Sequence, residues 1–147
     1  MWIYGNKRMR ITLDTETTGS DFWHGCKPFM VQMCDGDSNY VWKGEVNKYD
    51  RSEVIWQEND LEEIRHKIDQ ADEIGFHNAK FDIRALETIG VGCKDWTKIH
   101  DTMVMAHVCC SGDRMGLKYL AYKYFGYDNK DQDILEKRVR EERTLRS

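Results

Sequence analysis

A chain of 147 residues can bury one core, and 40% hydrophobic with 33% charged residues is the make-up of an ordinary soluble domain, not of a disordered chain. No apolar run approaches the ~20 residues of a membrane helix, and Met1 to Arg10 lacks the apolar stretch of a secretory signal. The net charge of −4 argues against a module that grips nucleic acid through Lys and Arg alone, but less against an enzyme whose carboxylates hold cations.

The alternation of Met9, Ile11 and Leu13 with polar residues predicts a first strand. Pro28 to Cys34 and Asn39 to Val46 predict two more, joined by a turn at Asp35-Gly36-Asp37-Ser38. A helix follows, with Asp60 and Glu63 in a capping-box pattern and Leu61, Ile64 and Ile68 on one face. Glu73 to His77 reads as a short strand, and Asn78 is placed to cap a helix that runs to Ile89 and stops at Gly90. Lys98 to Asp101 is a further strand and Thr102 to Cys109 a helix. Gly116 to Phe125 is another helix, with Leu117, Leu120, Ala121 and Tyr124 on one stripe and Gly126 as its stop. From 128 to 147 the chain is densely charged and reads as a solvated helix or tail. Three hairpin-like strands followed by alternating helices and strands imply one α/β domain over 1–147, a mixed sheet flanked by helices.

Five cysteines, Cys26, Cys34, Cys93, Cys109 and Cys110, make an odd count without a Cys-x-x-Cys pair. That pattern points to reduced thiols in a cytoplasmic protein rather than to zinc or a disulfide framework.

Chemistry concentrates in Ile11-Thr12-Leu13-Asp14-Thr15-Glu16-Thr17-Thr18-Gly19. Residues two apart in a strand point to the same side, so Asp14 and Glu16 can converge. Carboxylates that close repel unless a cation sits between them, and hard oxygen donors suit Mg²⁺ or Mn²⁺. A solvated strand end is the alternative for the pair alone.

The Leu-Asp-Thr-Glu-Thr-Thr-Gly run resembles the first motif of the DnaQ-like (DEDD) 3′→5′ exonuclease superfamily. Asn78-Ala79-Lys80-Phe81-Asp82 resembles its second, Asn-x-x-x-Asp. The likeness runs roughly from Met9 to Gly126. It includes Ile99-His100-Asp101-Thr102-Met103 and Gly116-Leu117-Lys118-Tyr119-Leu120-Ala121, which are similar to stretches in the proofreading domains of family A DNA polymerases. The resemblance implies a ribonuclease-H-like fold. It makes Asp14, Glu16 and Asp82 the catalytic metal ligands of a two-ion site, in which one ion generates a hydroxide and the other stabilises the departing 3′ oxygen. Asn78 and Phe81 would hold the terminal nucleotide, lined by the backbone around Thr15 and Thr17. The alternatives are a capping role for Asn78 and a packing role for Phe81.

Other candidates stand apart from this set. His77 reads as packed or hydrogen-bonded. Asp101 has a supporting role in the resembling families, with metal contact as the alternative. The family's fourth acid comes from Tyr-x-x-x-Asp or His-x-x-x-x-Asp; His107 to Asp113 is one residue too long, while Tyr124 with Asp128 and Tyr127 with Asp131 fit formally. Of these, Tyr127/Asp131 is the pair carried forward, against the expectation that the third motif lies beyond Ser147. The implied function is removal of nucleotides from single-stranded or frayed DNA 3′ ends, as the editing portion of a polymerase present as a separate subunit or in a continuation of the chain. The setting would be the cytoplasm of a bacterium or of a phage host, with no membrane partner. The alternatives are a catalytically incomplete module that docks or holds DNA, and an RNA-trimming exonuclease.

Overall fold

The structure, a computed structural model, describes residues 8–128 and 130–145; the side chains of 131, 132, 135, 139 and 142–145 fall outside that description. Strand β1 (Arg10–Thr17) buries Ile11, Leu13 and Thr15 and exposes Arg10, Thr12, Asp14 and Glu16, so the pleat sorts core from candidate site. It pairs antiparallel with β2 (Pro28–Cys34), Thr15 opposite Val31, and the register slips between Glu16 and Thr17. β2 pairs antiparallel with β3 (Asn39–Lys43). The turn between them is tied by Asp35, whose carboxylate accepts from Asp37 N, Ser38 N and the Tyr40 hydroxyl.

The third strand does not run on to Val46 as expected. A Cβ on Gly44 would stand 2.7 Å from Val54 Cγ1 and 2.8 Å from the Trp56 indole, so only glycine lets the chain pass. Beyond it, β4 (Glu45–Val46) pairs with β5 (Val54–Ile55) in a separate two-stranded ribbon. The Trp56 indole N–H then donates to Pro28 O at 2.9 Å.

Helix α1 (Glu58–Gln70) buries Leu61, Ile64 and Ile68, as their spacing predicts. The capping box is not made: the helix starts earlier, Gln57 is the N-cap without a side-chain bond, and Asp60 lies within the first turn. Glu63 instead accepts from the Trp42 indole N–H at 3.0 Å. At the other end, Lys98 Nζ donates to Ile68 O, Asp69 O and Ala71 O at 2.9, 3.3 and 3.1 Å, which satisfies carbonyls that the helix end leaves open.

β6 (Glu73–Phe76) runs parallel to β1, and β7 (Ile99–Asp101) parallel to β6. Between them α2 (Ala79–Glu87) ends two residues short of the expected Ile89. Thr88, Ile89 and Gly90 N–H groups turn back on Ala85, Leu86 and Glu87 carbonyls, and Gly90 takes φ 74°. The five-stranded sheet has the order β3-β2-β1-β6-β7, antiparallel on one side of β1 and parallel on the other. Ile11, Leu13, Val31, Ile74 and Phe76 of the sheet form the core with Ile64, Ile68, Ile83 and Leu86 of α1 and α2.

The chain divides into two units after Met105, within α3 (Thr102–Cys109). The second unit holds α4 (Leu117–Phe125), which stops at Gly126 with φ 66°, and α5 (Lys130–Leu145), the charged tail. Of the stripe expected on α4 only Leu120 is buried, while Leu117 and Tyr124 are more than half exposed. Asp113 fastens the start of this unit, accepting from Lys123 Nζ at 2.5 Å and Arg114 N at 2.8 Å. Among the described residues no helix is long and apolar enough to cross a membrane, and the five cysteines are free.

Candidate active site

The C-terminal end of β1 carries the first two acids. Asp14 and Glu16 share its outward face, while Thr15 between them points inward. Asp82, one turn into α2, is 2% exposed. Its Oδ1 accepts from Thr15 N at 3.0 Å and from Thr15 Oγ1 at 2.7 Å. The residue between the first two acids is therefore the anchor of the third.

All three carboxyls are pushed up. Burial raises Asp82 to about 6, the Thr15 hydroxyl pulls the other way, and the Asp14 charge adds to the rise. Burial also raises Asp14, against the Thr15 backbone and the charge of His77. Glu16 is raised by burial and then by Asp14. Asp14 is thus the acid felt by both of the others. Crowded oxygen donors whose charges oppose one another fit a hard divalent cation by type and by electrostatics. Among the described residues no three His, Cys, Asp or Glu side chains are spaced to enclose an ion by themselves. An ion here would share its shell with water or substrate oxygens, the usual habit of Mg²⁺.

Asn78 stands at the N-cap of α2 with φ 77°, in left-handed geometry that asparagine tolerates, but its side chain makes no capping bond. The capping falls to Asp101 at the end of β7. Its carboxylate accepts from Asn78 N at 3.1 Å and Ala79 N at 2.8 Å at the start of α2. It also accepts from Met103 N at 2.9 Å and Val104 N at 3.3 Å at the start of α3. Burial pushes Asp101 up, yet the four N–H donors together outweigh it and its pKa is lowered. Sequence reasoning gave Asp101 a supporting role without finding this double cap; an Asp-Thr pair at the head of a helix was the available signal.

His77, next in chain after β6, meets the Thr102 hydroxyl through Nδ1 at 2.9 Å. That hydroxyl donates to Phe76 O at 3.0 Å, so the ring nitrogen is the donor to it. Phe81 is partly buried and meets Phe22 with ring centroids 5.1 Å apart. Phe22 was not foreseen, because nothing in its local pattern marks it. Thr17 Oγ1 donates to Gly19 O at 2.9 Å and steadies the loop beyond β1. Tyr127 lies in the second unit, 58% exposed and directly after Gly126. The side chain of Asp131 lies outside the described residues.

Known proteins resemble this chain in sequence and in fold. The 3′–5′ exonuclease family of the DNA polymerase A type matches residues 4–146. DNA polymerase DpoZ of Salmonella phage PMBT28 is 31% identical over 117 residues, 75% of this chain and 17% of the polymerase. Brucella melitensis NrnC, solved with bound Mg²⁺, superposes with a TM-score of 0.56 at 20% identity, covering 83% of this chain and 56% of that one. Escherichia coli RNase D, an exoribonuclease involved in structured RNA processing, does so with a TM-score of 0.50 at 18% identity, over 82% and 28%. The chain thus spans about a sixth of the polymerase and about half of NrnC, and the two structural likenesses establish the fold, ribonuclease-H-like α/β. With a family match over nearly its whole length, the chain belongs to the 3′–5′ exonucleases of the DnaQ-like superfamily.

Proposed function

We propose that this chain removes nucleotides one at a time from DNA 3′ ends in a metal-dependent reaction, as the editing portion of a polymerase. The observation that carries the reading is the joining of Asp82 to Thr15, which brings the acids of both motifs to one strand end. The phage polymerase relative supports DNA over RNA, and it fits work in the cytoplasm of a bacterium or phage host.

Asp14, Glu16 and Asp82 would hold the cations, Asp14 serving both sides of the cluster. Bound Mg²⁺ or Mn²⁺ would supply an activated water and stabilise the departing 3′ oxygen. Asn78 and Phe81, at the head of α2, hold the terminal nucleotide by hydrogen bonding and by packing on its base or sugar. The backbone around Thr15 and Thr17 would line the same nucleotide pocket. Asp101 acts at one remove, fixing the turn that presents Asn78 and the helix that carries Asp82. Within 1–147, Tyr127/Asp131 is the pair carried forward as the candidate for the fourth acid and its motif partner.

The test is Asp14→Ala with a 5′-labelled oligonucleotide in Mg²⁺. Cleavage should fall at least a thousandfold while the circular dichroism spectrum is retained, since removing one acid relieves repulsion. An unchanged rate would sink the assignment. Asp131→Ala in the same assay decides the fourth acid: a comparable loss there would identify Tyr127/Asp131 as the third motif.

A further inference from the structure

The loop that leaves the candidate site carries an exposed aromatic on a rigid support. After β1 the chain makes a 3-10 turn, Phe22–His24, held from both ends. The Asp21 carboxylate accepts from His24 N at 3.2 Å and meets His24 Nδ1 at 2.6 Å. Asp21 O accepts from Cys26 N at 3.1 Å, and Gly25 closes the turn at φ 94°, where a side chain would be strained. On this turn Phe22 packs against Phe81, next to Asp82, so its position relative to the site is fixed by a ring contact.

Trp23 is 86% exposed on the same turn. Trp42 and Trp56 behave otherwise, each packed on the core with its indole N–H donating, to Glu63 and to Pro28 O. Trp96 is also exposed, at 61%, on a 3-10 turn with an Asp cap. That turn leads into the start of β7, whereas the acids stand at the C-terminal end of β1, and β1, β6 and β7 run parallel, so Trp96 lies at the opposite end of the strands. Of the two indoles exposed among the described residues, Trp23 is the one tied through its neighbour Phe22 to the candidate site.

We propose that the turn Phe22–His24 is a second-nucleotide subsite, in which Phe22 extends the Phe81 wall and Trp23 is the platform for the base preceding the terminal nucleotide. The inference rests on the exonuclease reading above and deepens it. The occupant follows from chemistry: an exposed planar indole, next in chain to the phenyl ring that packs on Phe81, suits an unpaired base, and stacking on it is open to all four bases. The base must be splayed from its partner strand to reach the indole, so the same contact favours single-stranded ends. In a chain of net charge −4, stacking also supplies affinity that phosphate neutralisation does not.

The test compares two substrates, an oligo-dT octamer and the p-nitrophenyl ester of thymidine 5′-phosphate, which offers a single nucleotide. In Trp23→Ala the ratio of kcat/KM on the octamer to that on the ester should fall about 5- to 150-fold, the range expected for one lost base–aromatic stack. Trp23→Tyr should restore most of the ratio, and Trp96→Ala should leave it at the native value. A ratio unchanged in Trp23→Ala, or one lowered equally by Trp96→Ala, overturns the subsite. If the native chain cleaves neither substrate, the nuclease reading fails separately, and filter binding of the octamer decides the subsite. Binding weakened by Trp23→Ala but not by Trp96→Ala supports it; no binding by the native chain overturns it as well.

Discussion

Asp82 is a carboxyl with a charge it is poorly placed to carry. Its folded pKa of about 6 lies above the ordinary 3.8, so the folded state binds its proton more tightly than the unfolded chain does. The resulting stabilisation is present below about pH 4 and is lost as pH rises through 6, up to roughly 3 kcal/mol for a shift of this size. Metal-free protein should therefore melt at a lower temperature at pH 7.5 than at pH 5. Asp82→Asn should flatten that slope and raise Tm at pH 7.5. Millimolar Mg²⁺ should raise the native Tm more at pH 7.5 than at pH 5, because the cation replaces the proton; differential scanning fluorimetry measures all three. A native Tm that climbs from pH 5 to pH 7.5 without metal would contradict the assignment. The candidate acids could be picked out in the sequence, since an Asp-x-Glu on an alternating strand and an Asn-x-x-x-Asp at a strand-to-helix junction need only local spacing. The Thr15 bond to Asp82 was not, because the two residues are 67 apart and one lies on the buried face of its strand.

At the scale of elements, Asp101 joins the heads of two helices to the end of a strand. Asp101→Ala leaves four N–H groups without their acceptor, and a cost of roughly 2–3 kcal/mol is expected in urea denaturation. Turnover should fall as well, because α2 carries Asp82 and Asn78; Asp101→Asn, keeping one acceptor oxygen, should lie between. Gly44→Ala tests a different joint. Its Cβ would intrude on Val54 and Trp56, so a loss of about 1–3 kcal/mol is expected, with little effect on the acids. The sequence predicted most strands and helices from period alone, yet it ran β3 through Gly44. A glycine demanded by a neighbour's side chain looks the same, locally, as one that is merely tolerated. The capping box failed for a related reason: Glu63 had a better partner in the distant Trp42 indole.

For the molecule as a whole, a net charge of −4 limits how much affinity can come from counterion release. Each neutralised phosphate on a single strand contributes roughly −0.7 to the slope of log K against log salt, and a slope shallower than about −2 is expected in Mg²⁺. Fluorescence anisotropy with a labelled octamer measures it, and a steep slope would reveal a basic surface that composition hides. Unpaired 3′ ends should be degraded faster than paired ones, since freeing an end costs ~1–2 kcal/mol per base-pair step. Equal rates on both, in a gel assay, would count against a pocket that takes one extruded nucleotide. The α/β class and the mixed sheet followed from the order of elements. The exposure of α4 did not: a stripe of Leu117, Leu120, Ala121 and Tyr124 reads as a buried face, and only Leu120 is covered.

The contact from Thr15 to Asp82 also sets an order in time. A chain emerging from the ribosome at ~5–20 residues per second has its first two acids in place roughly 3–13 s before Asp82 is even synthesised. Until α2 has docked, those acids sit on a hairpin with no third carboxylate, and a growing chain carries the first motif without a working centre. On the function proposed above, cleavage would wait for the closure of one long loop, the 67-residue separation that the Thr15–Asp82 contact spans.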